Sequence, residues 1–234
     1  MKALSHSRSV AGWLAAAIGI AAGAYTTYVG VTWCKYGDAP VPANPEEQDE
    51  ILERFMPRYE AVERHYVRVA APAALTLSTA RGMDVLRAYV VRAIFKAREL
   101  LLGATPDDRL RPSGLLAQVQ SLGWGVLAEI PGRELIVGAV TRPWEANVTF
   151  RAVPPDEFAT FREPDYVKIV WTLRADPIDA THSIFRTETR VMTTDSTARA
   201  KFRWYWACLS PGIILIRWTA LRSLRRRAEH CARE

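Results

Sequence analysis

The most constraining feature of this chain is an apolar run near its carboxyl end, residues 213–221. A helix with this sequence is apolar on almost every side, so other parts of the protein must enclose it. In the segment before it, Ala198, Phe202, Trp206 and Leu209 recur at intervals of four, four and three residues, which is one stripe of a helix. We therefore predict a long amphipathic helix over residues 195–227, with Thr194 or Asp195 at its N-cap.

Residues 210–212, Ser-Pro-Gly, should interrupt this helix. Either Ser210 caps a second helix that has Pro211 at its first position, or the proline ring kinks a single helix.

Residues 58–194 read as strands separated by tight turns. Alternation of apolar and polar residues, β-branched side chains and turn dipeptides such as Pro131-Gly132 all favour an antiparallel meander. The predicted strands cover residues 60–70, 124–130, 134–140, 147–153, 166–174 and 183–192. Two helices, residues 73–83 and 85–102, follow the first strand.

This order predicts an α+β fold. A sheet of six or seven strands has one face to bury, and only the carboxyl-terminal helix is long enough to cover it. We expect a curved antiparallel sheet wrapped around that helix.

Several segments resemble the START-like superfamily, also called SRPBCC, whose members have a helix-grip fold and include polyketide cyclases and lipid-transfer domains. The similar segments are residues 67–74 (the opening strand and its Ala-Pro entry into a helix), 131–138 (the central hairpin), 161–171 and 187–191 (later strands), and 195–217 (the closing helix). The resemblance covers residues 58–230 and includes no catalytic signature.

The resemblance implies a cavity between sheet and helix that holds an apolar ligand. The lead hypothesis is therefore membrane-anchored binding, transport or sequestration of a hydrophobic small molecule or lipid. One alternative is an enzyme of the cyclase or aromatase kind, and another is a non-catalytic assembly factor with a filled interior.

Aromatic residues at core-compatible positions are candidates for lining such a cavity. The candidate ligand-binding residues are Trp124, Phe150, Trp171, Phe185, Phe202 and Trp206, with Trp144 as a further aromatic residue of the same kind. If Val67 and Val69 face inward, then Glu63 and His65 do too, and they are the candidate acid–base pair for the cyclase hypothesis. Residues two apart in a strand are about 7 Å apart, so this pair need not touch.

The amino-terminal segment predicts a single membrane-spanning helix. Residues 9–34 contain no charge, and the twenty steps from Trp13 to Trp33 would span about 30 Å, the thickness of a bilayer core. The two indoles would then lie in the two interfacial belts. A cleaved signal peptide is the alternative, because residues 22–24, Ala-Gly-Ala, fit a cleavage site.

The domain organisation follows from this reading. Residues 1–8 flank the span, 9–34 form it, 35–57 are a proline-rich and acidic linker, and 58–234 form the folded domain. Lys2 and Arg8 slightly favour an inner amino terminus, and a Gly19–Gly23 pair could let two spans form a homodimer.

The net charge and the sequence motifs indicate which classes of partner the protein could bind. A net charge of +6 without a basic stripe argues against nucleic-acid binding. Arg225, Arg226 and Arg227 at the end of the last helix could contact anionic membrane lipid. No phosphate-binding, metal or cofactor motif occurs, so we expect neither a metal nor a cofactor.

Overall fold

The computed structural model describes residues 2–84, 103 and 112–234. The predicted helix over residues 85–102 lies outside the described residues. The helices are α1 (Lys2–Lys35), α2 (Glu50–Phe55), α3 (Ala73–Gly82), α4 (Leu115–Ser121), α5 (Pro155–Phe158) and α6 (Ser196–Cys231), with a 3₁₀ turn at Pro45–Glu47. The strands are β1 (Ala61–Val69), β2 (Gly125–Ile130), β3 (Glu134–Thr141), β4 (Phe150–Arg151), β5 (Val167–Pro177) and β6 (Ser183–Thr193).

The six strands form one antiparallel sheet in the order β1-β6-β5-β3-β2. The short β4 pairs with the end of β3 that β2 leaves free, at Val140 and Thr141. The predicted α+β class, with an antiparallel sheet and a long carboxyl-terminal helix, is confirmed. The strand predicted over residues 147–153 is wrong in extent, because only Phe150 and Arg151 pair with a neighbour.

Helix α6 packs on one face of the sheet. Leu221, Leu224 and Ala228 of α6 share a buried cluster with Val69 of β1, Leu135 and Val137 of β3, Leu173 of β5, Phe185 of β6 and the α3 residues Leu77 and Ala80. The prediction that residues 213–221 must be enclosed is thus met on the side that faces the strands, whereas Leu215 and Trp218 are exposed on the other side.

Of the two alternatives for residues 210–212, the second helix capped by Ser210 is wrong. Helix α6 continues through Pro211 as a single helix, and Ser210 is a buried helical residue. Of the two candidate caps at its start, Asp195 is the N-cap, since one of its carboxylate oxygens accepts a hydrogen bond from the Ala198 amide at 2.8 Å.

A second layer of residues packs on the face of the sheet opposite α6. Leu52 and Met56, from the segment that the sequence placed in a linker, are buried there with Ile136, Val140, Phe158 and Val170. Every residue of β3 is buried because β3 lies between the two apolar clusters. Residues 49–56 therefore pack as part of the sheet's outer layer, with Asp49 capping α2 through the Ile51 and Leu52 amides.

Candidate functional site

A cavity of about 580 Å³ lies between the sheet and α6. Its volume is within the range typical of small-molecule sites. Strands β1, β5 and β6, helices α3 and α6, and Tyr25 of α1 all contribute to its lining. Most of the lining side chains are apolar, so the cavity suits a ligand with a large apolar body.

The six aromatic residues predicted to bind a ligand all line this cavity. Trp124 lies 5.3 Å from Phe150 and 6.5 Å from Trp171 between ring centroids, and Phe202 lies 5.8 Å from Trp206. Trp144 is not among the lining residues; it packs on a separate cluster with Phe202 and Trp206, and Lys201 lies over its ring.

The paired strands β5 and β6 contribute alternate residues to the lining of the cavity. Ile169, Trp171 and Leu173 of β5 face the cavity, as do Phe185, Thr187, Thr189 and Val191 of β6. Trp171 lies opposite Thr189 in the register, so an indole and two hydroxyls come together on one patch of the floor. Gly123, with φ of +101°, lets the chain enter β2 beside Phe150, because a side chain there would overlap the Phe150 carbonyl.

Among the described residues that line the cavity, Arg217 supplies the one cationic side chain. Its Nη1 donates to Thr187 Oγ1 at 3.1 Å, its Nη2 donates to Thr189 Oγ1, and its guanidinium carbon lies 5.9 Å from the Trp171 ring centroid. The Trp171 indole donates to the same Thr187 oxygen at 2.7 Å. Burial lowers the pKa of Arg217 to about 10, against the attraction of Glu63 and Glu188.

Sequence reasoning did not identify Arg217 as a site residue. A signal was present, since Arg217 is the single charge within the apolar run 213–221. A lone charge on a helix that must be enclosed needs a polar environment, and here the threonines of β6 provide it.

Glu63 and His65 touch in the structure, with His65 Nε2 3.1 Å from Glu63 Oε2. Both side chains are mostly buried. Glu63 lines the cavity, whereas His65 is not among its lining residues and instead lines a second pocket with Arg64, Tyr66 and Glu188. The geometry thus offers one carboxylate to the cavity with an imidazole as its support.

Helix α1 is docked on α6 through its carboxyl-terminal part. The Tyr25 hydroxyl donates to the Cys208 carbonyl at 2.8 Å, the Tyr28 and Ser210 hydroxyls lie 2.9 Å apart, and Trp33 stacks edge-on against Trp204 at 5.8 Å. Residues 15–24 have exposed side chains. Residues 15–35 are long and apolar enough to cross a membrane, a property that signal sequences share.

The other predicted membrane residues differ in exposure. Trp13 is 78% exposed, while Trp33 is partly covered by Trp204 and by Arg203, whose guanidinium carbon lies 4.4 Å from the Trp33 ring centroid. Arg225, Arg226 and Arg227 are exposed, and Arg225 pairs with Glu229 at 2.9 Å. Within the described part of the chain, no group of three or more His, Cys, Asp and Glu side chains could hold a metal ion.

No family model and no curated protein matches the sequence. The search of solved structures returns matches of low sequence identity and low TM-score. Among solved structures, protein CV1439 from Chromobacterium violaceum is 10% identical with a TM-score of 0.27, covering 66% of this chain and 96% of its own. Zhui aromatase/cyclase from a Streptomyces species is 12% identical with a TM-score of 0.26, covering 72% and 93%. Norcoclaurine synthase from Thalictrum flavum, in complex with dopamine and hydroxybenzaldehyde, is 13% identical with a TM-score of 0.24, covering 70% and 84%.

Proposed function

We propose that this protein binds a hydrophobic small molecule or lipid in the cavity between its sheet and α6, and that it does so at a membrane. The observation that carries the proposal is the cavity of about 580 Å³ with its apolar lining. Burying apolar ligand surface stabilises a complex by roughly 25 cal/mol per Å² before the costs of association. An assembly factor whose interior is filled by its own side chains would not need this space.

The contacts of α1 support the membrane part of the proposal. With residues 25–35 docked on α6, the uncharged segment left over is residues 9–24, which as a helix is about 24 Å long. A bilayer core is about 30 Å thick. The docked part of α1 must therefore also lie in the bilayer if the helix is to cross it in this arrangement.

The face of α6 that points away from the sheet is also suited to contact with the bilayer. Trp204, Leu215 and Trp218 are 60%, 51% and 53% exposed. Trp204 packs on Trp33 of α1, so the apolar surface of α1 continues onto α6. We place this combined surface in the interfacial region of the membrane, where tryptophan is favoured. Tyr25 would then bring the cavity lining to the lipid.

The cavity proposal is tested by filling the cavity. Ala220 lines it, so Ala220→Trp should displace the ligand, whereas Ser223→Trp adds the same side chain to the exposed face of the same helix. We expect the purified full-length wild type and Ser223→Trp to retain an apolar adduct in native mass spectrometry, and Ala220→Trp to lose most of it. A wild type without any apolar adduct, or an adduct retained by Ala220→Trp, would contradict the proposal.

A second candidate function, cyclisation of a polyketone, is favoured by the Glu63–His65 contact at 3.1 Å. The Glu63 carboxylate would take a proton from a CH₂ between two carbonyls, and the carbanion would attack a third carbonyl within the chain to form a carbon–carbon bond. The alkoxide would recover the proton, and loss of water would follow.

This second function predicts that a synthetic linear polyketone is cyclised faster with wild type than in buffer alone. Glu63→Gln, which cannot accept the proton, should lower the rate roughly 100-fold or more. Glu157→Gln, an exposed carboxylate on α5, is the matched control. Chromatography of the cyclic product measures the rate, and a Glu63→Gln rate equal to wild type would exclude the mechanism.

A further inference from the structure

We infer that the ligand of this cavity carries an acidic head group, a carboxylate or a phosphate, that binds Arg217. This inference rests on the proposed binding function and assigns the chemistry at one end of the ligand. The cavity is apolar over most of its lining and becomes polar where Arg217 meets Thr187 and Thr189. An amphipathic acid likewise has a long apolar part and one polar, acidic end.

The charge of Arg217 is not neutralised by a direct ion pair. Its hydrogen-bond partners are two neutral hydroxyls, and none of the carboxylates in the described ranges lies within 4.0 Å of its guanidinium. Glu63 and Glu188 attract it from farther away. A charge removed from water is costly unless a counter-ion and hydrogen bonds offset that cost. An anionic ligand would supply both.

The guanidinium also has a donor to spare. Each terminal nitrogen of the guanidinium carries two N–H groups, and Nη1 and Nη2 each give one of them to a threonine in the described part of the chain. Nε is inaccessible to solvent, so a ligand does not reach it in this arrangement. An acidic group in the cavity would therefore bind the second N–H groups of Nη1 and Nη2, while the threonines hold the plane of the guanidinium in position.

The position of Glu63 restricts where the acidic group can lie. One Glu63 oxygen is engaged by His65, but the carboxylate still faces the cavity and would repel a second anion. The head group must therefore contact Arg217 on a side away from Glu63. The cavity volume suits a single-chain or compact acid.

Matched amphiphiles test this inference. The full-length protein in nanodiscs is titrated with dodecanoic acid, dodecyl phosphate and dodecanol, and bound probe is counted by native mass spectrometry at one lipid-to-protein ratio. We expect at least one of the two acids to bind roughly 10- to 100-fold more tightly than dodecanol, as a hydrogen bond to a charged group should allow. The stronger of the two acids identifies a carboxylate or a phosphate head group.

Variants of Arg217 separate charge from packing. Arg217→Gln keeps a hydrogen-bonding side chain without the charge and should bind acid and alcohol with equal affinity. Arg217→Lys keeps the charge and should retain a preference for the acid. Ala220→Trp is the control for the cavity, and it should weaken all three probes together.

The outcomes distinguish this inference from the function on which it rests. Binding of dodecanol and both acids with equal affinity by wild type would overturn the acidic head group and leave apolar binding intact. An acid preference that persists in Arg217→Gln would place the head group elsewhere and overturn the role of Arg217. Binding of none of the probes would count against both.

Discussion

Two arginines on opposite faces of the sheet illustrate how partners decide the role of a residue. Arg190 is completely buried on the outer face, where it pairs with Glu188 and Glu53 at 2.7 Å each and donates to the Met56 carbonyl at 2.8 Å. Its charge is neutralised, so it fastens the α2 segment to the sheet. Arg217 is half-buried and has only neutral direct partners among the described residues, and that difference makes it the candidate ligand contact.

Glu134 on the outer face is the residue that should make stability depend on pH. Burial, together with a hydrogen bond to Asp49 and the negative charge of Asp49, raises the pKa of Glu134 from 4.5 to about 8. A carboxyl group whose folded pKa is raised stabilises the fold most below pH 4.5, and this contribution is lost as the pH rises through 8.

We therefore predict that Glu134→Gln, which mimics the protonated side chain, matches wild type near pH 5 and is more stable above pH 8. After allowance for solvent screening, the difference should be about 1 kcal/mol. Thermal unfolding of the full chain at both pH values measures it, with exposed Glu157→Gln as the control. A Glu134→Gln variant that follows the wild-type pH dependence would show that Glu134 ionises normally.

At the scale of elements, α1 and α6 are two helices that share one apolar surface. Tyr25, Tyr28 and Trp33 join the carboxyl-terminal part of α1 to residues 204–210 of α6. Helix α1 is therefore in direct contact with the helix that covers the cavity, and it is not separated from the domain by a free linker.

This contact predicts that Trp218 lies within reach of lipid. In nanodiscs that contain lipids brominated near the head group, Trp218→Phe should remove a measurable part of the quenching of tryptophan fluorescence, because the indole is 53% exposed on the α1 side of the molecule. Trp144→Phe, in the cluster where Lys201 covers the ring, should leave the quenched fraction unchanged. Equal effects of the two variants would contradict an interfacial position for α6.

At the scale of the whole molecule, the sheet separates two chemically different layers. Its inner face, with α3 and α6, holds the cavity and an apolar cluster. Its outer face carries α2 and α5 over a second apolar cluster that is bordered by ion pairs of Arg64, Arg174, Arg186 and Arg190. Arg174 and Arg190 also donate to the carbonyls of residues 46, 48 and 56, so polar contacts fasten the outer layer to the sheet.

The sequence by itself determined the elements and the faces that they bury. Backbone geometry fixes which side chains of a strand or helix share a face, whatever the element packs against. The alternation in β5 and β6 and the stripe of Phe202 and Trp206 therefore show in the sequence which residues face inward. For that reason the fold class could be predicted without coordinates, and the six candidate aromatic residues do lie along the cavity. The sequence offered Thr194 and Asp195 as caps, and the structure has Asp195 in that position.

Only the tertiary structure decided which distant residues meet. The threonines that hold Arg217 are about thirty residues away along the chain, and the partner of Ser210 is Tyr28 on α1. Proline at 211 reads locally as a break, yet packing on the sheet and on α1 carries α6 through it. Such contacts depend on how much surface whole helices and strands bury against one another. A local sequence pattern does not contain that information.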